Sequence, residues 1–253
     1  SKKTICLNNP RLDLDINALE ISSLEKEITT LHVQATEQLI KKFKTNKVEI
    51  DLIGFHGQTI FHSYRDKKTK QLGDGKTLSN LTGLNVVYKF RENDLKNGGQ
   101  GAPLATIFHR ALQKKLNIKT PVVFVNIGGI SNVTYLGKNN EMISFDSGPG
   151  NFLIDKLVQL KSNNKIQFDK DGKIAFSGRV DKNILNSYLC DSFYKLQPPK
   201  SLDVNNFNLG LVSGLSLEDS VTTLSEVTST TITDSLIFFF QKPWEIILCG
   251  GGR

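Results

Sequence analysis

The stretch Val122-Val123-Phe124-Val125-Asn126-Ile127-Gly128-Gly129-Ile130-Ser131-Asn132-Val133-Thr134-Tyr135-Leu136 decides the fold. Val122 to Asn126 is β-branched and apolar, as a buried strand is; Gly128-Gly129 turns the chain, and Ser131 to Leu136 alternates like a second strand. Gly137-Lys138-Asn139-Asn140 supplies another hairpin turn before Met142 to Phe145, so three consecutive antiparallel strands are expected. Asp146-Ser147-Gly148-Pro149-Gly150-Asn151 breaks the pattern, and Phe152 to Leu160 resumes helical spacing. Further on, a short helix near Ile184 to Leu189 and a proline turn at Pro198-Pro199 precede a helix-like segment from Leu217 to Phe240, rich in Thr and Val. Glu245 to Cys249 is a last strand running into Gly250-Gly251-Gly252.

Upstream, Leu24, Ile28, Leu31, Ala35 and Leu39 recur three or four apart between Ile16 and Lys44, which predicts a helix with one buried stripe packed against a sheet. Ile50 to Phe55 reads as a buried strand ending at His56-Gly57, followed by a Lys-rich polar loop up to Gly73-Asp74-Gly75. Asn85 to Phe90 reads as another strand and Leu104 to Leu116 as a helix, joined by Gly98-Gly99-Gln100-Gly101-Ala102-Pro103. The character changes at Thr120-Pro121, the expected joint between two α/β lobes, residues 1–120 and 121–253, with a ligand cleft between them.

A chain of 253 residues with 38% hydrophobic content can bury one large core or two modest ones. The formal net charge of +7 is dispersed; its densest group, Lys41, Lys42, Lys44 and Lys47, reads as a solvated helix end rather than a nucleic-acid or membrane patch. Cys6, Cys190 and Cys249 are widely spaced, without CxxC or paired His, so neither a disulfide framework nor a zinc site is indicated and a reducing compartment follows. The longest apolar stretch, Leu236 to Phe240, cannot cross a bilayer, and the start has no signal-peptide core, so the cytoplasm is the expected location. The first residue is Ser rather than Met, which suggests a start inside a longer gene product or after a removed segment.

The chemistry-bearing candidates each carry a plain structural alternative. At the expected strand end, Asp146 is placed to act as a general base, with free amides of the following helix start holding an anion; or it simply caps that helix. Gly128 and Gly129 let backbone approach a phosphate, or form an ordinary hairpin turn. Gly250 to Gly252 permit close passage of a nucleotide, or are a flexible end. No P-loop and no Gly-x-Gly-x-x-Gly after a strand occurs, which disfavours those two nucleotide folds. His56, Gln58, Thr59 and His62 suit a sugar or a polar core. Arg91 with Asp94 is either a surface ion pair or a grip for a substrate carboxylate.

In this order, His56-Gly57-Gln58-Thr59, Gly73-Asp74-Gly75, Phe90-Arg91-x-x-Asp94, Gly98 to Leu104, Asn126 to Asn132, Phe145 to Asn151, Pro198-Pro199-Lys200-Ser201 and Cys249 to Gly252 resemble the anhydro-N-acetylmuramic acid kinase family over nearly the whole chain. The resemblance implies the two-lobed α/β fold of sugar kinases, Hsp70 and actin (ribonuclease H-like), with central mixed sheets, and ATP and Mg2+ between lobes. It implies a reaction that uses ATP and water to open the 1,6-anhydro bridge and phosphorylate the 6-oxygen, in peptidoglycan recycling. Asp146 matches the catalytic carboxylate. His56, Gln58, Thr59, Arg91, Asp94, Gly148 and Asn151 fall on the sugar side, and Gly128, Gly129, Asn132, Gly250, Gly251 and Gly252 on the nucleotide side. A small amino sugar and a homodimer partner are implied, with no nucleic acid and no membrane.

The departures from the family pattern carry expectations too. The family's opening Gly-Thr-Ser-x-Asp-Gly loop is not in the sequence, which stops at Arg253 just after the glycine triplet; the chain is expected to start downstream of that loop and, as bounded, to turn over little or not at all. Lys89 stands where the family has Asp, and Leu202-Asp203-Val204-Asn205 replaces charged residues after Pro-Pro-Lys-Ser. The competing reading is a catalytically inactive remnant or sugar-binding protein of the same fold; a kinase for another anhydro or amino sugar is the third.

Overall fold

The first apolar stripe forms α1 (Ala18–Lys42), in a computed structural model that describes residues 18–43, 46–64, 66–202 and 207–252. Cys6, the expected helix start at Ile16, Lys44, and Asp203-Val204-Asn205 lie outside the described residues. The buried face of α1 matches the predicted one only in its first half: Leu24 and Ile28 turn inward with Ile21 and Thr29, whereas Ala35 is exposed and Leu31 and Leu39 are 55% and 58% exposed. Polar anchors help to set this face. Thr29 Oγ1 accepts from Asp74 N at 3.0 Å and Glu25 Oε1 from Gly73 N at 3.3 Å. A backbone N–H left without a partner would cost more than an exposed leucine.

The first of two units, Ser1–Gly101, contains a parallel pair, β1 (Ile53–Phe55) with β4 (Val86–Tyr88), and an antiparallel hairpin, β2 (Gln58–Ser63) with β3 (Lys68–Leu72). The hairpin replaces the expected polar loop. Its lysines hide an alternation in which Lys68 and Lys70 face solvent while Thr69 and Gln71 on the other face are half-buried, with Leu72 buried where the strand ends, the half-buried pattern of a strand. Beyond it, α2 (Gly75–Thr82) is capped by Asp74, whose carboxylate accepts from Lys76 N and from the Thr77 hydroxyl; the Thr77 bond foremost holds the Asp74 carboxyl below the usual range. The strand expected up to Phe90 stops at Tyr88, because Lys89 takes a left-handed φ of 61° and starts α3 (Phe90–Lys96).

The second unit, Ala102–Arg253, begins with α4 (Thr106–Lys115), a helix the sequence placed in the first lobe; the boundary lies at Gly101, upstream of Thr120-Pro121. Its sheet has the order β7-β6-β5-β8: β5 (Val122–Ile127), β6 (Ile130–Leu136) and β7 (Met142–Pro149) are antiparallel neighbours, and β8 (Glu245–Cys249) runs parallel to β5. Val122, Phe124 and Leu136 face α4 through Leu112. Val123, Val125, Val133, Tyr135 and Phe145 face Ile232, Phe238 and Phe239 on the other side. His109 of α4 is buried, stacked on Phe124 at 4.7 Å, with Nδ1 2.9 Å from Thr134 Oγ1; burial pushes its imidazole pKa down.

α5 (Phe152–Lys161), α6 (Lys182–Leu189) and α7 (Leu217–Asp234) share a core built on Leu153, Leu157, Tyr188, Val221, Leu224 and Val227. α7 stops at Asp234, before the predicted Phe240, and a 3-10 turn, Ser235–Phe238, follows. Thr-rich sequence is helical here because buried hydroxyls find helix carbonyls: Thr228 Oγ1 donates to Leu224 O at 3.2 Å and Thr231 Oγ1 to Thr228 O at 3.1 Å. Among the described residues, no helix is long and apolar enough to cross a membrane.

Candidate active site

Asp146 lies inside β7, not at a strand end, because β7 continues to Pro149 through a register shift at Ser131/Asn132. Ser147 is the extra residue of this bulge, a device that re-aims side chains. Register places Asn126 opposite Asn132 and Asn132 opposite Asp146. The three side chains therefore form one polar row across three strands, with neighbouring Cβ atoms about 5 Å apart. The capping alternative for Asp146 fails, since Asn151 occupies the N-cap of α5.

Asp146 is 6% exposed, and one segment holds it from two sides. Its N–H donates to Lys200 O at 3.0 Å, and its Oδ2 accepts from Leu202 N at 2.8 Å. Both partners flank Ser201, in the Pro-Pro-Lys-Ser motif.

Two residues beyond Asn126, about 7 Å along the strand, Gly128-Gly129 turns β5 into β6. Three of the amides leading into α5 are occupied. Gly150 N donates to Gly129 O at 2.9 Å, Asn151 N to Gly128 O at 2.8 Å and Phe152 N to Gly129 O at 3.1 Å. The turn and the helix start are thus sewn together. Gly252 N also donates to Ile127 O at 3.0 Å, which brings the C-terminal glycines to the same sheet end, where the parallel strands β5 and β8 finish. Such carboxyl ends are the usual ligand edge of α/β sheets.

The glycines here divide into two groups. A Cβ on Gly150 would lie 2.2 Å from Gly128 O; on Gly250, whose φ is +91°, 2.4 Å from Ile127 O; and on Gly252, 2.5 Å from the Ile127 side chain and 2.6 Å from Asn151 Oδ1. These three are glycine because the protein packs against them. Gly148 belongs with them, its Cβ position being 2.4 Å from Thr231 Oγ1 of α7. A Cβ on Gly128, Gly129 or Gly251 meets nothing closer than 3.4, 3.6 and 4.0 Å, and none of these has a positive φ. Nothing in the fold requires glycine at those three positions. Among the described residues, the amides of Gly129 and Gly251 also have no backbone partner. Both are available to an anion.

In the first unit, His56 sits past β1, as expected, and Arg91 and Asp94 lie on α3 rather than at a strand end. Arg91 Nε donates to His56 Nε2 at 2.9 Å and Nη1 to Gly101 O at 2.6 Å. Asp94 Oδ2 accepts from Gly101 N at 2.7 Å. Arg91 and Asp94 thus clasp the two polar ends of the Gly101 residue, which ties the glycine loop to His56. Gln58 and Thr59 start β2, where Thr59 Oγ1 accepts from Gln71 Nε2 at 3.2 Å. Sequence reasoning missed the grip of Lys200 and Leu202 on Asp146, although Pro-Pro-Lys-Ser had been singled out.

The family model described as anhydro-N-acetylmuramic acid kinase matches residues 12–253. Three relatives carrying that name are those of Pelagibacter ubique (strain HTCC1062), 43% identical over 95% of this chain; Brucella canis, 42% identical over 92%; and Rhizobium etli, 39% identical over all of it. The chain spans 65%, 62% and 68% of the length of these curated relatives.

Proposed function

The chain belongs to the anhydro-N-acetylmuramic acid kinase family, and from that premise we propose that it serves ATP-dependent conversion of 1,6-anhydro-N-acetylmuramic acid and water to N-acetylmuramic acid 6-phosphate, in the cytoplasmic recycling of peptidoglycan. The observation that carries the reading is a buried Asp146, held through its backbone N–H and its Oδ2, in the sheet whose end carries the open Gly128, Gly129 and Gly251.

In this reading Asp146 takes the proton of a water whose oxygen attacks the anomeric carbon. The bond from that carbon to the bridging 6-oxygen breaks and its electrons stay on the 6-oxygen, which forms a new bond to the γ-phosphorus as ADP departs. One base serves both bond changes. Asn132, next to Asp146 in the polar row, helps orient the reactants. Gly129 and Gly251 offer amides to phosphate oxygens, and Gly128 leaves room beside them, an arrangement that fits a nucleotide. The packed glycines 250 and 252 hold Gly251 in place. Asn151, against Gly252, braces that turn, and Gly148 lets β7 approach α7 closely enough to seat Asp146. Magnesium would supply charge neutralisation on the phosphates. Among the described residues no cluster of three or more His, Cys, Asp or Glu could hold a metal ion, so the ion would travel with the nucleotide, held by phosphate oxygens and water. His56, Gln58, Thr59, Arg91 and Asp94 are proposed to bind the sugar, and a homodimer is proposed as the assembly.

The glycine distinction provides the test. Gly251→Ala adds a methyl group to open space, so the melting temperature should stay within roughly 2 °C, while KM for ATP should rise about tenfold, or about 1.4 kcal/mol. An unchanged KM for ATP with unchanged stability would remove Gly251 from the nucleotide site.

A further inference from the structure

We propose that Lys200 is a positioning residue for Asp146: its caged ammonium locks the segment Pro198–Leu202, whose backbone fixes the carboxylate. This rests on the reading of Asp146 as the base. Lys200 is 4% exposed. Its Nζ lies 4.8 Å from the ring centres of Phe193 and Phe238 and 5.6 Å from that of Phe145. It also donates to Phe193 O at 3.3 Å and Tyr194 O at 3.4 Å. One side chain therefore ties together β7, the turn at Ser192–Lys195 and the turn after α7.

Phe145 is the residue before Asp146, so the cage grips β7 next to the base. Two residues carry the force onward. Lys200 O receives the Asp146 N–H, and Leu202 N donates to the carboxylate, a charge-assisted bond that fixes the orientation of Oδ2. Phe145 faces the α7 side of the sheet, with Phe238, whereas Asp146, the next residue along the strand, faces the opposite way. The ammonium therefore lies on the face of the sheet opposite the Asp146 side chain. Burial lowers the Lys200 amine's pKa, as desolvation of a cation does; aromatic faces and carbonyls offset that penalty only while the cage is intact. A shift of about 1 Å in a catalytic group costs on the order of 10²-fold in rate, so a slackened segment should be visible in turnover.

The experiment compares Lys200→Met, Lys200→Arg, Phe238→Leu and Asp146→Asn in the intact protein, by steady-state formation of the 6-phosphate product. Lys200→Met is expected to lower kcat about 10- to 100-fold while KM for sugar and ATP moves less than about threefold; Lys200→Arg, which keeps a cation in the cage, should recover part of the loss. A lowered melting temperature with wild-type kcat would make Lys200 merely structural and overturn the proposal, as would a raised KM with wild-type kcat, the mark of direct ligand contact. If Lys200→Met does not fold, Phe238→Leu decides: reduced kcat at constant KM supports the positioning role, and wild-type kcat refutes it. Turnover surviving in Asp146→Asn would instead sink the underlying reading, whereas a dead Asp146→Asn beside a fully active Lys200→Met sinks the Lys200 proposal alone.

Discussion

Asp146→Asn is expected to lower kcat for 6-phosphate formation by about 10²- to 10⁴-fold, the usual contribution of a general base, with sugar affinity kept within a few-fold. The substitution is nearly isosteric. The amide oxygen can still accept from Leu202 N, which donates to Asp146 Oδ2 at 2.8 Å, and the backbone bond to Lys200 is untouched. What disappears is the group that takes a proton. Because the residue is buried and held through both its backbone N–H and its Oδ2, neither relaxation nor solvent should replace it. Calorimetric titration of the sugar against wild type and variant, beside kcat, separates chemistry from binding. Wild-type turnover in the variant would remove Asp146 from the mechanism.

Gly150→Ala should act on the fold instead. The new methyl carbon would stand 2.2 Å from Gly128 O and 3.2 Å from Gly129 O, both backbone atoms of the turn to which Gly150 and Asn151 donate. It cannot be accommodated without parting β5–β6 from the start of α5. Thr228 Oγ1, which donates to Gly150 O at 3.3 Å, would be disturbed with it. We expect a loss of about 3 kcal/mol, at the upper end for overpacking, read as a melting temperature lower by roughly 6–12 °C for a domain of this size. Gly129→Ala is the internal control: its Cβ would meet Phe152 Cβ at an ordinary 3.6 Å. A Gly150→Ala protein as stable as wild type would mean that the turn and helix are not joined as described.

The three-strand meander was legible because alternation and turn chemistry agree with burial: Val133 and Tyr135 point to one face, Thr134 and Leu136 to the other. β8 and α5 were legible for similar reasons. The β2–β3 hairpin was not, because Lys68 and Lys70 on its exposed face read as loop composition, while the period-2 pattern was present underneath. On α1 the apolar spacing gave the helix but only part of its buried face, which hydrogen bonds accepted by Thr29 and Glu25 help to set. At the site, the importance of Asp146 could be read from its motif. Its setting could not, since a bulge and a partner 56 residues away in sequence place it. Nor does composition separate Gly150, Gly250 and Gly252, which packing requires, from Gly128, Gly129 and Gly251, which it does not. That distinction needs three dimensions.

In the proposed reaction a water activated by Asp146 attacks the sugar, and the freed 6-oxygen, not water, meets the phosphorus. Running the reaction in water enriched in oxygen-18 and locating the label in promptly analysed product tests this directly. One labelled oxygen is expected on the anomeric carbon and none in the phosphate group. Label in the phosphate with none on the anomeric carbon would contradict it.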